Sequence, residues 1–430
     1  MLIEFTVGNY KSFKEPVTLS MEAAKITAKE KRIDEQNTFT VDDHTRLLKS
    51  AAVYGANASG KSNVADALRC MRHLVINSSR ESQASDPIAV EPFLLSEATV
   101  NQPSFFEIVF LLEGTQYRYG FEVDRKRVQS EWLFYVPRKR ESRLFERQGD
   151  QITLSGVFKE GKDLPDKTRP NALFLSVVAQ FNGKIAQSIL MWFRNCNIIS
   201  GLQDAEYLGY TLHCLDEGEH RDEIVELIRK LDLSIQDVRV EKASINLDTL
   251  PLELRERLSN DVLEKGDIKQ VTLSTYHQRY NLERSPSLLV SFDFETQESE
   301  GTRKIIALAG PLLDTLKQGK VLVVDEFDAR LHPLISLEII KLFHTQETNP
   351  HNAQLLLMTH DTNLLDKDLF RRDQIWFTEK DRYGASVLYS LVEYKVRNDE
   401  MFEKNYIQGK YGAIPFIGDL RQVLGGTDAH

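Results

Sequence analysis

The 430-residue sequence has only three cysteines, Cys70, Cys196 and Cys214, too few and too irregularly spaced for a disulfide framework or a metal-ligand pattern. The odd count leaves at least one unpaired, as expected in a reducing cytoplasm. No apolar run reaches the ~20 residues of a membrane-spanning helix. The opening Met1-Leu2-Ile3-Glu4-Phe5 also lacks the basic and apolar regions of a signal peptide. A cytoplasmic protein with no membrane partner is therefore expected. Excess positive charge is missing too: 54 Lys and Arg stand against 64 Asp and Glu, a net charge of -10. That excludes a protein that coats nucleic acid over its whole surface, but not a local basic groove. No internal repeat marks a solenoid.

What is present is chemistry for a phosphate. Gly55-Ala56-Asn57-Ala58-Ser59-Gly60-Lys61-Ser62 fits the G-x-x-x-x-G-K-[ST] loop. The apolar residues Leu47-Leu48 and Ala51-Ala52-Val53 precede it, and a helix-like segment from Asn63 to Leu74 follows. In a strand–loop–helix context, glycines let successive N–H groups point at an anion, and the helix N-terminus adds positive potential. The expected nucleotide contacts are Gly55, Asn57, Ser59, Gly60, Lys61, Ser62 and Asn63. Lys61 would neutralise the β- and γ-phosphates, and Ser62 would hold Mg²⁺.

Around this loop the chain reads as α/β. Residues 2–13 alternate like a strand, and residues 34–45 read as loop. Phe105 to Leu112, Gln116 to Val123 and Ser130 to Val136 read as strands. The Glu113-Gly114-Thr115 turn makes the first two a hairpin, hence an antiparallel subdomain. Residues 181–285 read as mainly helical, with helices over Ile185 to Ile199 and Asp222 to Leu231. From Leu288 the order returns to strand, helix, strand, helix, the pattern of a parallel sheet. The implied domains are a first lobe at 1–180, a helical insertion at 181–285, a second lobe at 286–395, and a tail at 396–430 that packs on the head.

A second acidic element completes the nucleotide chemistry. Val321-Leu322-Val323-Val324 is a buried-strand pattern, and Asp325 and Glu326 close it where α/β sheets bind ligands. Asp325 would hold Mg²⁺, and Glu326 would polarise the attacking water.

The order of phosphate loop, Glu298-Ser299-Glu300-Gly301-Thr302, Asp325-Glu326 strand and the strand ending in His360 resembles the ABC-type ATPase heads, including the chromosome-organising and RecF-type DNA-repair members. The resemblance implies that Ser299 and Gly301 cap the nucleotide of an opposite subunit, and that His360 contacts the γ-phosphate and the attacking water. It implies that Phe174 to Gln180 is the strand leading to a Q-loop, with Gln180 sensing Mg²⁺ or water. It also implies that Lys11 and Ser12, in Asn9-Tyr10-Lys11-Ser12-Phe13, touch the nucleotide. The usual signature is L-S-G-G-Q; here Glu298, Glu300 and Thr302 depart from it. Leu331-His332-Pro333, Tyr117 to Glu122 and the tail Asn405 to Pro415 are similar to the RloA-like abortive-infection group of AAA ATPases. The long-armed relatives carry heptads between their lobes; residues 181–285 have no sustained heptad, so a compact head is expected.

Together these features imply an ATP- and Mg²⁺-dependent ATPase, with Lys61, Glu326 and His360 in the catalytic set and Ser62, Asp325 and Gln180 at the metal. It would form a homodimer or higher even oligomer around ATP. It would control a nuclease-like or toxin partner encoded nearby, in antiphage defence. A RecF-like DNA-binding repair ATPase and a nucleotide-bound scaffold for a toxin are the alternatives. A basic strip, Arg125-Lys126-Arg127 and Arg138-Lys139-Arg140 with Arg143 and Arg147, would either meet DNA or form a solvated hairpin whose aromatics, Trp132, Phe134 and Tyr135, enter the core. His213, His220 and the nearby acids read as a solvated helix start.

Overall fold

The computed structural model describes residues 1–43, 45–81, 83–218, 220–232, 234–245, 268–397 and 400–415. The chain divides into two compact units: Met1–Ser200 with Thr315–Asp328 and Ser336–His430, and Gly201–Asp314 with Ala329–Ile335.

Burial on both faces dictates the central sheet of the first unit. Ser50–Gly55, Val321–Asp325 and Gln354–Met358 are apolar runs whose residues are almost wholly buried, the mark of parallel strands covered on two sides. The order is Cys196–Ser200, Val321–Asp325, Gln354–Met358, Ser50–Gly55, Ile375–Lys380, Ser386–Ser390. The first five are parallel and the last is antiparallel. One strand therefore separates the phosphate-loop strand from the acidic strand. All the parallel strands end at one edge, so the segments after Gly55, Asp325, Met358 and Lys380 converge there.

A seven-stranded antiparallel sheet holds the N-terminal strand Leu2–Gly8 and the hairpins between Ser104 and Leu154. Its first hairpin turns at Glu113 and Gly114, both at positive φ, as the sequence predicts. Helix Lys61–Asn77 shares one apolar core with both sheets through Val64, Leu68, Met71 and Val75. The tail residues that are described pack behind the phosphate-loop strand. Tyr406 lies 6.2 Å from Tyr54 and stacks on Phe377 at 5.4 Å.

Several expectations are corrected. Residues 34–45 are not all loop: Lys31–Asn37 is helix and Thr38–Thr40 is strand. Phe174–Gln180 is a helix, not a strand. A short, mostly apolar run carries no period that separates the two. Here Glu131 decides: its buried carboxylate accepts from the N–H groups of Phe174 (2.6 Å) and Leu175 (3.0 Å), orphan donors of a helix start. The helix expected to Ile199 stops at Arg194, and Cys196–Ser200 is an edge strand of the central sheet. The mainly helical insertion is half wrong as well. Helices Ala205–Glu217 and Arg221–Leu231 are followed by the long strands Ile235–Ile245 and Ile268–Tyr280. Pro286–Asp293, expected in the parallel sheet, pairs antiparallel with the second of these.

The second unit packs these helices and its three-stranded sheet against the start of helix Glu300–Gln318, around Ile224, Ile228, Val238, Leu273 and Ile306. Pro311 lies inside that helix and cannot donate to the Ala307 carbonyl. The Thr211 hydroxyl donates to that carbonyl instead, at 2.8 Å, and accepts from the Gly310 N–H at 3.1 Å.

Part of the basic strip is occupied. Arg127 pairs with Asp150 and Arg143 with Glu146, while Arg147 is buried and donates to the carbonyl of Ala172. Of the aromatics, Tyr135 packs against the core. Trp132 and Phe134 stay half-buried, with the Trp132 indole N–H on Glu107 and the Arg118 guanidinium over Phe134. His213 and His220 pair at short range with Glu217 and Glu223.

Candidate functional site

A cavity of about 590 Å³ opens at the carboxyl edge of the central sheet, lined by residues 57–63, Glu326, His360 and Lys380. The loop is closed by its own lysine: Lys61 Nζ donates to the carbonyls of Gly55 (2.9 Å) and Ala56 (3.1 Å). Burial lowers the Lys61 pKa from its usual value, against the opposing pull of Glu326, Asp325 and Asp328. A buried cation whose partners among the described residues are carbonyls is suited to receive phosphate oxygens. Gly60 sits at φ +113, and a Cβ there would lie 2.6 Å from Ser386 Oγ and 2.9 Å from Ser12 Oγ. Only glycine allows that approach.

The Ser62 hydroxyl donates to Asp325 Oδ1 at 3.1 Å. Burial raises the Asp325 carboxyl above its usual range; the Ser62 bond opposes this, while Glu326 and Asp66 add to it. Two hard oxygen donors on a site crowded with carboxylates fit a divalent cation. Glu326 follows in the left-handed region at φ 51, a conformation that costs a non-glycine residue roughly 1–3 kcal/mol and clusters at functional sites. Burial, then the charge of Lys61, lower the His360 pKa from its usual value, so the imidazole is neutral at pH 7. Asp328 holds the His360 segment: its Oδ1 accepts from Thr359 Oγ1 (2.6 Å) and from the His360 N–H (3.1 Å). These donors and charges fit a nucleoside triphosphate with Mg²⁺, held by Lys61, the loop N–H groups, Ser62 and Asp325.

The other expected residues take different places. Ser12 braces the loop from behind, accepting from Asn63 Nδ2 (2.6 Å) and sharing a hydrogen bond of 2.8 Å with Ser386 Oγ. Lys11 is paired with Asp66 at 2.6 Å. Neither lines the cavity. Gln180, at the end of its helix, is exposed and borders a separate cavity with Arg80 and Arg194 rather than the one lined by Ser62. Ser299 and Gly301 belong to the second unit. Ser299 Oγ accepts from the Thr302 N–H at 3.1 Å, capping helix Glu300–Gln318. A Cβ on Gly301 would lie 2.9 Å from the Arg330 carbonyl. The signature departures have local partners: Glu298 accepts from His277 (2.7 Å) and Thr302 donates to Asp232 (2.9 Å).

Sequence reading missed Lys380, Thr378, Ser386 and the task of Asp328. Ser59 Oγ and Thr378 Oγ1 share a hydrogen bond of 2.6 Å, and Ser386 Oγ donates to the Ser59 carbonyl at 2.6 Å. No linear motif ties those residues to the loop; strand pairing does.

The strand order and the loop with its acidic strand define a P-loop nucleotide-binding domain, an ABC-type AAA ATPase fold. Residues 50–366, more than half of the chain, match the family described as "AAA domain, putative AbiEii toxin, Type IV TA system", and the chain belongs to that family. No curated protein matches it. Among solved structures it is similar to the SMC head domain from Thermotoga maritima (15% identity, 90% of this chain and 98% of that one, TM-score 0.39). It is also similar to "the recombination mediator protein RecF-ATPrS in RecFOR pathway" (13% identity, 91% and 98%, TM-score 0.35).

Proposed function

We propose that this chain binds and hydrolyses ATP, and that two copies close head-to-tail around the nucleotide to switch a partner effector. The observation that carries the chemistry is the convergence of Lys61, Ser62, Asp325, Glu326 and His360 on one cavity edge. Ser62 and Asp325 would hold Mg²⁺, which would supply positive charge to offset that of the phosphates. Lys61 grips the phosphates, Glu326 orients and deprotonates the attacking water, and neutral His360 hydrogen-bonds at the γ end. Ser299 and Gly301 are supplied by a second copy: a capped helix N-terminus, like that at Ser299, suits a γ-phosphate. Hydrolysis then removes the group both copies hold, and the dimer relaxes. Effector control in antiphage defence rests on the resemblance to abortive-infection ATPases, and the family's description names a toxin–antitoxin setting.

The test is size-exclusion chromatography with light scattering, alongside phosphate release. Wild type should dimerise with ATP and not with ADP. Glu326→Gln should hold the ATP dimer and lose hydrolysis by about a hundredfold or more, and Ser299→Arg should block dimerisation. A wild-type chain that never self-associates with ATP overturns the dimer, and one that releases no phosphate overturns the hydrolysis.

A further inference from the structure

We infer that Lys380 is a second cation for the nucleotide, acting on the ester end of the triphosphate rather than on its terminal phosphate. This rests on the nucleotide reading of the cavity. Lys380 ends the strand Ile375–Lys380, which runs parallel to the phosphate-loop strand with Thr378 opposite Gly55. Side chains alternate along a strand, so Thr378 and Lys380 share a face. That face meets the loop, because Thr378 bonds Ser59 Oγ and the cross-strand partner of Lys380, Ser386, bonds the Ser59 carbonyl. Glu379, on the other face, accepts from Tyr389. Lys380 lines the cavity, is exposed, and has no ion pair among the described residues.

The strand order then says which end of the ligand Lys380 meets. The phosphate-loop strand has the His360 strand, and beyond it the acidic strand, on one side; it has the Lys380 strand on the other. Glu326, His360 and the Ser62–Asp325 pair therefore mark the terminal-phosphate side. Lys380 flanks the loop from the opposite side, where the phosphates joined to the ribose lie. That part is common to ATP and ADP. A charge there contributes equally to substrate and product binding, which is uniform binding and falls on KM more than on kcat.

The experiment is calorimetric titration of the full chain with Mg·ATP and Mg·ADP, with steady-state kinetics. Lys380→Ala should weaken both nucleotides by a similar factor, roughly tenfold for one charge-assisted contact. Lys380→Arg should restore most of it. The thermal midpoint without nucleotide should not move, because the side chain is exposed. Loss of ATP affinity alone, with a matching fall in kcat, would place Lys380 at the terminal phosphate and overturn the assignment; so would unchanged affinity for both. A wild-type chain that binds neither nucleotide would instead refute the reading of the cavity itself.

Discussion

The Ser62 hydroxyl meets the Asp325 carboxylate at 3.1 Å, joining residues 263 positions apart. The bond sets side by side the two oxygen donors that would hold Mg²⁺ in the proposed site. Ser62→Ala would remove one of those donors and leave Lys61 in place. ATP affinity without Mg²⁺ should change little, while the gain on adding Mg²⁺ should be lost. Titrating ATP with and without the metal checks this.

Gly60→Ala tests the tightness of the cradle. A Cβ would meet two hydroxyls, at 2.6 and 2.9 Å, at a φ that alanine avoids. The Ser12–Ser386 bracing must part or the loop must shift. Stability should fall by about 1–3 kcal/mol, and nucleotide binding with it. A denaturant melt and a nucleotide titration read the two effects.

Asp328 is a positioning residue for His360. Asp328→Ala leaves the Thr359 hydroxyl and the His360 N–H without their acceptor, at a cost of about 1–3 kcal/mol for the unpaired donors. Turnover should fall while ATP affinity holds. Because the His360 pKa lies below its usual 6.5 in the wild type, loss of activity from protonating it should appear only below pH 6.5. In Asp328→Ala that acid limb should move. A pH profile of kcat for both proteins shows whether it does.

His344 makes stability pH-dependent. Its ring is fully buried and its pKa is pushed down to about 3, by burial first and the charge of Lys49 second. The Ser50 hydroxyl accepts from Gln374 Nε2 at 2.8 Å and shares a hydrogen bond of 2.7 Å with His344 Nε2. Between pH 6.5 and about 3 the unfolded chain binds the proton more readily than the folded one. Stability is therefore fully present above pH 6.5 and falls as pH drops, by up to about 1.4 kcal/mol per pH unit. Urea melts at pH 7.5 and 5.5 should show the loss, and His344→Gln should show a shallower one.

Glu131 anchors the helix Phe174–Gln180. Its carboxylate also accepts from the Tyr119 hydroxyl at 3.0 Å and lies 3.9 Å from the buried Arg147 guanidinium. Burial raises its pKa, opposed by Arg147 and the backbone bonds. Glu131→Ala leaves a buried arginine uncompensated and should destabilise the first unit by about 3–5 kcal/mol. Chemical denaturation measures it.

What could be read from the linear chain was whatever local geometry alone creates. The loop Gly55 to Ser62 works through consecutive N–H groups and one adjoining helix start, so its chemistry is written in eight adjacent residues. Val321 to Glu326 and Leu355 to His360 announce buried strands with polar ends because a doubly covered strand must be apolar throughout. Tertiary structure decided which strand lies beside which, and on that depended the placing of Lys380, the burden on Asp328 and the placing of Gln180 at a separate cavity. Sheet order is set by burial between residues hundreds of positions apart, and neither period nor composition records it. An apolar run such as Phe174 to Ala179 becomes helix or strand according to a partner, here Glu131, that the run itself does not contain.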